Sequence, residues 1–388
     1  MGAGVNKIQY HLCLIIGGLS MVLLGWGALP AGAASPGEAG KLVSCRLVEN
    51  DGAGAAEYPV KMYAITYNTP DTDQQMVVAS GLVIIPDPSV KKYSLVSFQH
   101  GTMVHKQEAP SYPETCDYVP VLKLFAGKQY VVAMPDFIGM GHSTVRHPYM
   151  HADTGASACL DMLRATKDLC AQLGVQLNAK LFLTGYSQGG AVTMALQRLL
   201  ERDYAAEFPV TASAPGGGPY DQVQVWRYGL AHPNKIWTPV AAYMLVAYNR
   251  IYGLYPDLGE MFNQPYAGLV DGLFDGAHNL DEITQALPET VQQMLRPEFI
   301  EKFNRGGNSA YLAWMVNSTN NWRPRAPVRL YHARGDEAVP FEVAVQTGAL
   351  MRSLGANVRL IDVGNFEHVQ AFFEALPKIK KWFDSFKR

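Results

Sequence analysis

Residues 181–190 read LFLTGYSQGG, an apolar run that leads directly into a glycine-rich turn around Ser187. Short apolar runs of this kind are typical of strands buried on both faces, and the residues from Gly189 onward have a helical pattern. In a tight turn between strand and helix, flanking glycines keep side chains away and the serine projects its hydroxyl above the sheet edge. The pattern therefore predicts Ser187 as a nucleophile, and the alternative is a glycine-rich turn with an incidental serine.

The rest of the chain repeats this alternation of apolar runs and helical patterns. Further strands are predicted at 60–67, 75–85, 94–98, 130–134, 210–214, 328–332 and 358–361, and helices at 158–173, 189–204, 341–354 and 369–386. The first two of these strands alternate only in part, as antiparallel strands near a sheet edge do. With 181–184, the runs predict an α/β fold, a mostly parallel eight-stranded sheet with helices on both faces. The last helix is expected to bury a stripe that includes Val369, Phe372 and Phe373.

Residues 221–323 interrupt that alternation, because they have helical patches and no convincing buried strand. We predict a helical cap inserted into a core formed by residues 34–220 and 324–388. Active sites of open α/β sheets collect at the carboxyl ends of the strands, so an insertion here must rise over Ser187. The following large side chains of the cap are expected either to pack on one another or to line an apolar pocket: Trp226, Tyr243, Met244, Tyr248, Tyr252, Met261, Phe262 and Tyr266.

The first 33 residues have the three parts of a secretory signal peptide. Lys7 is the only early charge, residues 12–26 are apolar or small, and residues 31–33 read AGA, a small-residue cleavage pattern. Glycines interrupt the apolar run, which is short for a membrane span, and an uncleaved anchor is the alternative. We expect a secreted or periplasmic protein with no integral membrane segment after cleavage of residues 1–33.

The composition limits the choice of partners. With 32 basic and 34 acidic side chains the net charge is −2, which gives no reason to expect a nucleic-acid partner. Four cysteines remain after signal cleavage, and an exported chain can form disulfides, with four buried free thiols as the alternative. Cys159 and Cys170 fall about 16 Å apart in one predicted helix and should not pair with each other. The other pairings with Cys45 and Cys116 stay open.

A serine nucleophile needs a base, and after a strand–turn–helix serine the acid and the base follow in that order along the chain. Asp336 comes directly after the strand predicted at 328–332, and His368 comes in the loop before the last helix. Both positions follow strand ends at the edge where such active sites collect. We therefore predict Asp336 as the acid and His368 as the base. Glu337 is the alternative acid, although the shorter carboxylate is held more rigidly in a tight turn.

Two backbone N–H groups are predicted to bind the oxyanion that forms during attack on a carbonyl group. The N–H of Gln188 lies at a helix N-terminus, where free N–H groups and the helix dipole favour negative charge. The second donor should come from the loop after the third predicted strand, where Thr102 is preferred and Gly101 is next. His100 in that loop is a rival base, but it precedes the serine and is expected to pack under the loop.

No metal or cofactor site is expected. His142, His147 and His151 share one loop, but their spacing matches no zinc site. Hydrolysis by serine, histidine and aspartate needs no cofactor.

These pieces resemble the secreted α/β-hydrolases of the bacterial and fungal secretory lipase/esterase type. The matching segments, in the family's order, are 99–102 (QHGT), 135–141 (PDFIGMG), 185–190 (GYSQGG), 335–340 (GDEAVP) and His368. The resemblance implies that a Ser-His-Asp triad hydrolyses a small-molecule or lipid ester through an acyl-enzyme, under a helical cap. It also implies that Asp136 is not a triad member, and we expect Asp136 to tie its own loop.

Other functions share this scaffold. A serine peptidase or amidase would use the same triad, and an acyltransferase would differ in keeping water away from the acyl-enzyme. A non-catalytic binding protein could keep the fold, but the intact set of Ser187, Asp336 and His368 argues against it. Lipase or esterase activity, the preferred acyl chain length and the oligomeric state do not follow from the sequence.

Overall fold

One sheet forms the centre of the chain in the computed structural model, which describes residues 38–51, 59–86, 92–127 and 130–386. The predicted signal peptide, residues 1–33, lies outside the described residues. The strands are β1 (Leu42–Asp51), β2 (Val60–Pro70), β3 (Met76–Pro86), β4 (Tyr93–Gln99), β5 (Tyr130–Pro135), β6 (Leu177–Tyr186), β7 (Val210–Gly216), β8 (Val328–His332) and β9 (Val358–Asp362).

The strands lie side by side in the order β1-β2-β3-β5-β4-β6-β7-β8-β9. The pairs β1/β2, β2/β3 and β3/β5 are antiparallel, and all the other neighbouring pairs are parallel. The strands from β5 to β9 in this order therefore end at one edge of the sheet. The loops after β4, β6, β8 and β9, which carry the predicted site residues, meet at that edge.

The sheet has nine strands where the sequence predicted eight, and the additional strand is β1. It lies at the edge of the sheet and pairs only with β2. The side chains of Val43, Arg46 and Leu47 are all exposed, so the middle of β1 buries neither face. A strand without a buried face shows neither an apolar run nor a regular alternation, which is why the sequence pattern did not indicate it.

Helices cover both faces of the sheet, as predicted. They are α1 (Val119–Ala126), α2 (Ala152–Gln172), α3 (Gln188–Asp203), α4 (Gln222–Ala231), α5 (Trp237–Tyr252), α6 (Tyr266–Leu273), α7 (Leu280–Ala286), α8 (Val291–Met294), α9 (Pro297–Asn304), α10 (Ser309–Asn317), α11 (Phe341–Ser353) and α12 (His368–Asp384). On one face, Leu163 of α2 and Leu196 of α3 share a buried core with Leu95 of β4. The next residue of β4, Val96, points to the opposite face and packs in the core that holds Phe372 of α12.

The last helix buries a narrower stripe than the sequence predicted. Phe372 and Leu376 are buried against the sheet, but Val369 is 68% exposed and Phe373 is 48% exposed. Positions 369 and 373 are one helical turn apart, so they form a short apolar strip on the solvent side of α12. The expectation that these two residues lie in the core was wrong.

Helices α4 to α10 connect β7 to β8 and coincide with the segment in which the sequence predicted a cap. The structure describes all of residues 221–323, and in them the only β pairing is an isolated bridge between Phe262 and Leu295. The large side chains of this segment form a buried core of their own that includes Trp226, Tyr248 and Trp314. That core continues into Leu330 of β8, so the helical segment is packed against the sheet.

All four cysteines that follow the predicted signal peptide are free thiols. Cys116, Cys159 and Cys170 are buried, and Cys45 is exposed on β1. Cys159 and Cys170 share α2, as the sequence predicted. Within the described ranges, no helix is long and apolar enough to span a membrane.

Candidate active site

Ser187 lies in a strained turn between β6 and α3. Its φ and ψ are 58° and −122°, a conformation that non-glycine residues rarely adopt and that costs on the order of 1–3 kcal/mol. The serine N–H donates to the carbonyl oxygen of Gly216 at 3.0 Å, which ties the turn to the end of β7. Backbone strain held in place by neighbouring strands is common at functional sites.

The glycine at 189 allows the turn to pack directly on the neighbouring loop. A Cβ at Gly189 would lie 1.9 Å from the carbonyl oxygen of Gln99 and 2.5 Å from that of His100. A Cβ at Gly101 would lie 3.6 Å from the Cβ of Ser187. The glycines therefore bring the loop after β4 within van der Waals contact of the serine turn.

Asp336 and His368 come together at the same sheet edge. The Nδ1–H of His368 donates to both oxygens of the Asp336 carboxylate, at 2.9 and 2.8 Å. The carboxylate also accepts the backbone N–H groups of Ala338 at 3.1 Å and Val339 at 2.7 Å. The ring of Tyr186, which precedes the serine, lies 5.1 Å from the His368 ring between centroids, so the imidazole lies beside the serine turn.

Glu337, the alternative acid, has a different contact. Its Oε2 accepts the backbone N–H of His368 at 2.9 Å. A carboxylate at a helix N-terminus satisfies an otherwise free N–H and interacts favourably with the helix dipole. The structure therefore brings the imidazole to Asp336 and the start of α12 to Glu337.

A second histidine contacts the same carboxylate and was not foreseen from the sequence. His332, the last residue of β8, is fully buried, and its Nε2 lies 3.2 Å from Asp336 Oδ2 and 2.8 Å from the carbonyl oxygen of Val339. Burial raises the pKa of Asp336, but the hydrogen bonds from His332 and His368 outweigh it and hold the pKa well below its usual range. The available signal was a histidine at the end of the strand that leads to the predicted acid.

Thr102 and Gln188, the two predicted oxyanion donors, line the same cavity. The N–H of Gly101 donates to Tyr118 Oη at 3.2 Å, whereas the N–H of Thr102 has no hydrogen-bond partner among the described residues. Gln188 is the first residue of α3, where a backbone N–H has no intrahelical acceptor. His100 is buried under this loop as expected: its Nδ1 is 2.6 Å from the carbonyl oxygen of Gly101, and its Nε2 is 3.0 Å from that of Asp136.

Ser187, Gln188 and Thr102 line a narrow cavity of about 60 Å³ beneath the helical segment. The other residues that line it are mostly apolar: Tyr149, Met150, Pro219, Gln222, Val225, Trp226, Ile236, Trp237, Val240, Met244, Ala338 and Val339. Of the large cap side chains named from the sequence, Trp226 and Met244 line this cavity. The cavity therefore joins the serine turn, the Thr102 loop and the acid loop to helices α4 and α5.

Comparison with known proteins identifies the family of this chain. The sequence profile of the secretory lipase family matches residues 114–386, more than half of the chain. The chain belongs to this family. Membership places this chain among the carboxylic ester hydrolases and among secreted proteins, as the sequence predicted.

Individual relatives agree with that assignment. The secreted triacylglycerol lipase LIP7 of Malassezia globosa is 24% identical over 365 residues, which cover 89% of this chain and 74% of that protein. The esterase LipA of Xanthomonas oryzae, described as rice cell wall degrading, superposes with a TM-score of 0.81 at 27% identity, covering 89% of this chain and 97% of LipA. A Legionella pneumophila protein superposes with a TM-score of 0.84 at 29% identity, covering 89% and 98%.

In this member of the family, the three loop histidines have three separate surroundings. His142 packs against the ring of Tyr112, with centroids 4.9 Å apart, and His151 accepts the N–H of Thr154 at the start of α2. His147 is buried beside Gln188. Among the described residues no group of three or more His, Cys, Asp or Glu side chains could hold a metal ion.

Asp136 ties its loop, as expected. Its carboxylate is fully buried and accepts the hydroxyl of Ser80 at 2.5 Å and the N–H of Ser111 at 2.9 Å. Burial raises the pKa of this carboxyl group, and the two hydrogen bonds oppose that rise. Asp136 therefore joins β3, β5 and the loop that precedes α1.

Proposed function

We propose that this chain hydrolyses carboxylic esters with Ser187 as nucleophile, His368 as general base and Asp336 as its partner. The observation that carries the proposal is the pair of hydrogen bonds from His368 Nδ1 to Asp336, formed beside a serine in a strained strand–helix turn. Because the carboxylate holds the proton on Nδ1, Nε2 is left as the basic nitrogen of the neutral ring.

The reaction follows from these roles. Nε2 of His368 takes the hydroxyl proton as Ser187 Oγ bonds to the ester carbon, and the carbonyl π electrons move onto its oxygen. The N–H groups of Gln188 and Thr102 bind that oxyanion, and each is worth roughly 3 kcal/mol, or about 100-fold in rate. Collapse expels the alcohol, which takes the proton from His368. Water then attacks the acyl-enzyme with the same help and releases the acid.

The apolar cavity supports an ester with an aliphatic acyl group as substrate. The residues lining it beside Ser187 are mostly hydrocarbon, so burial of methylene groups there contributes about 0.8 kcal/mol each. Relatives include proteins named as triacylglycerol lipases and one named as a cell wall degrading esterase. Acyl esters are the chemistry that these names share.

A substrate panel tests the proposal. Purified protein is assayed with p-nitrophenyl esters of rising chain length, with an emulsified triacylglycerol and with peptide anilides. We expect turnover of esters and none of anilides, and Ser187→Ala should abolish the turnover while its melting temperature stays close to that of wild type. Anilide cleavage would favour the peptidase alternative, and wild-type turnover by folded Ser187→Ala would show that another residue is the nucleophile.

A further inference from the structure

We propose that His147 is a positioning residue for the oxyanion hole, because its imidazole contacts and fixes the side chain of Gln188. The inference rests on the proposed function, in which the backbone N–H of Gln188 binds the oxyanion. Gln188 Nε2 lies 3.1 Å from His147 Nε2, and both side chains are buried.

The hydrogen bonds of His147 determine its tautomer. Its Nδ1 is 2.6 Å from the carbonyl oxygen of Ile138, which can only accept, so Nδ1 carries the proton. Burial lowers the pKa of His147 to about 4, so the ring is neutral at pH 7 and Nε2 is an acceptor. The carboxamide of Gln188 must therefore present its NH₂ group to His147.

This orientation leaves the other end of the carboxamide without a partner. Oε1 of Gln188 is buried and accepts no hydrogen bond within the described part of the chain. A buried acceptor without a donor costs roughly 1–3 kcal/mol. The contact with His147 thus holds the Gln188 side chain in an orientation that leaves its Oε1 without a hydrogen bond. An unsatisfied buried polar atom that is kept in this way indicates a functional constraint.

The imidazole is itself held in place by packed rings. It stacks on Phe137 with an interplanar angle of 9°, and its centroid is 5.9 Å from that of Tyr243 on α5. Tyr149 lies two residues after His147 in the chain, and its hydroxyl is 2.7 Å from Thr102 Oγ1. The segment 147–149 therefore contacts the side chains of both residues whose N–H groups are proposed to bind the oxyanion.

The rate of the reaction depends strongly on the positions of the two oxyanion donors. Loss of one oxyanion donor typically costs 10²- to 10³-fold in kcat, and a misplacement of about 1 Å elsewhere in an active site can cost about 100-fold. Without His147, the carboxamide of Gln188 can rotate and compete for the donors or for the substrate oxygen. We therefore expect an effect on the transition state rather than on substrate binding.

A matched pair of substitutions tests the hydrogen bond. His147→Asn keeps a donor near the place of Nδ1 for Ile138 but has no acceptor that reaches Gln188, and His147→Gln places an acceptor near the position of Nε2. We expect His147→Asn to lower kcat by about 10- to 100-fold with KM within about twofold, and His147→Gln to recover most of that loss. Affinity for an alkylboronic acid, which mimics the tetrahedral intermediate, should fall by the same factor as kcat/KM.

The other partner gives an independent measurement. Gln188→Met removes the carboxamide but keeps the backbone N–H, so it should lower kcat by a similar factor. The double variant should be no slower than the slower single variant, because both changes remove one interaction. If His147→Asn does not fold, Gln188→Met decides alone: a fall of about tenfold or more supports the proposal, and a wild-type kcat overturns it.

The remaining outcomes separate this inference from the proposed function. A wild-type kcat for folded His147→Asn, or equal losses in the Asn and Gln variants, overturns the role of His147. If Ser187→Ala is inactive in the same assay, the proposed function stands in either case. If Ser187→Ala is as active as wild type, the proposed function fails, whatever the His147 variants do.

Discussion

At the residue scale, the carboxylate of Asp336 accepts several hydrogen bonds. His368 and His332 contact its carboxylate oxygens, and the N–H groups of Ala338 and Val339 donate to Oδ1. A carboxylate held in this way keeps both its charge and its orientation, and the imidazole that it binds is held in one tautomer. These contacts lead to two predictions.

The first concerns the choice between the adjacent acids. Asp336→Asn should lower kcat by about 10,000-fold, because a neutral amide can donate to the imidazole and stabilise the wrong tautomer. Glu337→Gln is the matched control, since its amide oxygen can still accept the N–H of His368, and kcat should change by less than about threefold. Steady-state kinetics with one p-nitrophenyl ester gives both values. A larger loss in Glu337→Gln than in Asp336→Asn would assign the acid to Glu337.

The second concerns the stability of the fold in acid. The pKa of Asp336 is lower in the folded chain than the ordinary value of about 3.9, so the ionised group stabilises the fold above that value. That stabilisation is lost as the pH falls from about 4 through the lowered pKa. Melting temperatures from pH 7 to pH 2 should fall less steeply for Asp336→Asn than for wild type. Parallel curves would show that Asp336 contributes little to acid sensitivity.

The triad residues were predicted from their order along the chain and their positions after predicted strands. Ser187, Asp336 and His368 each follow a recognisable strand, and the topology brings those strand ends together. The contacts of His332 with Asp336 and of His147 with Gln188 were not predicted, since each one's partner is distant in sequence or lies across a loop. Only the packing of β8 and of the 147–149 segment reveals those contacts.

At the element scale, the turn before α3 depends on glycine for close approach of two backbones. Gly189→Ala would place a methyl group 1.9 Å from the Gln99 carbonyl oxygen. We expect it to destabilise the fold by several kcal/mol, since backbone atoms must move, and to lower activity in whatever protein still folds. Gly268 in α6 is the matched control, with nothing within 4 Å of its Cβ position. Gly268→Ala should stabilise the fold by about 0.5–1 kcal/mol. Urea unfolding measures both, and equal effects would contradict the packing argument.

Helix α12 offers a comparison between adjacent phenylalanines. Phe372 is buried against the sheet, so Phe372→Ala should cost about 3–5 kcal/mol. Phe373→Ala should change the free energy of unfolding by less than about 1 kcal/mol, because nearly half of that side chain is exposed. Thermal or urea unfolding of the two variants tests the difference. The sequence pattern predicted that both phenylalanines lie in the core, because apolar residues extend around more of the surface of α12 than the sheet covers.

At the scale of the whole molecule, helices α4 and α5 supply much of the wall of the cavity, while the sheet edge supplies Ser187. We hypothesise that the helical segment sets the acyl chain length and the sheet edge sets the chemistry. Val240→Phe should then lower kcat/KM for long-chain esters much more than for acetate, because the added ring fills space beside the serine. Leu280→Phe, at a half-exposed position of the same segment, is the control and should change neither. Equal losses at all chain lengths for Val240→Phe would show that the segment is only a structural cover.

The order of strands and helices and the place of the helical segment could be predicted because buried strands and amphipathic helices leave periodic patterns. The edge strand β1 could not, since Val43 and Leu47 are exposed along it and no pattern marks it. The cavity wall could not be assigned either: Trp226 and Met244 line it, whereas Tyr248 is buried in the segment's own core. Residues of the same type at similar spacing have different surroundings, which only the three-dimensional packing decides.

The four free thiols have a consequence for how the protein can be produced. In the described part of the chain, Cys45, Cys116, Cys159 and Cys170 are all free thiols, so this fold contains no covalent cross-link between them. We therefore expect a recombinant chain that lacks residues 1–33 to fold in a reducing cytosol, with no isomerase or oxidising redox buffer. Dithiothreitol in the purification buffers should leave its yield and its specific activity unchanged.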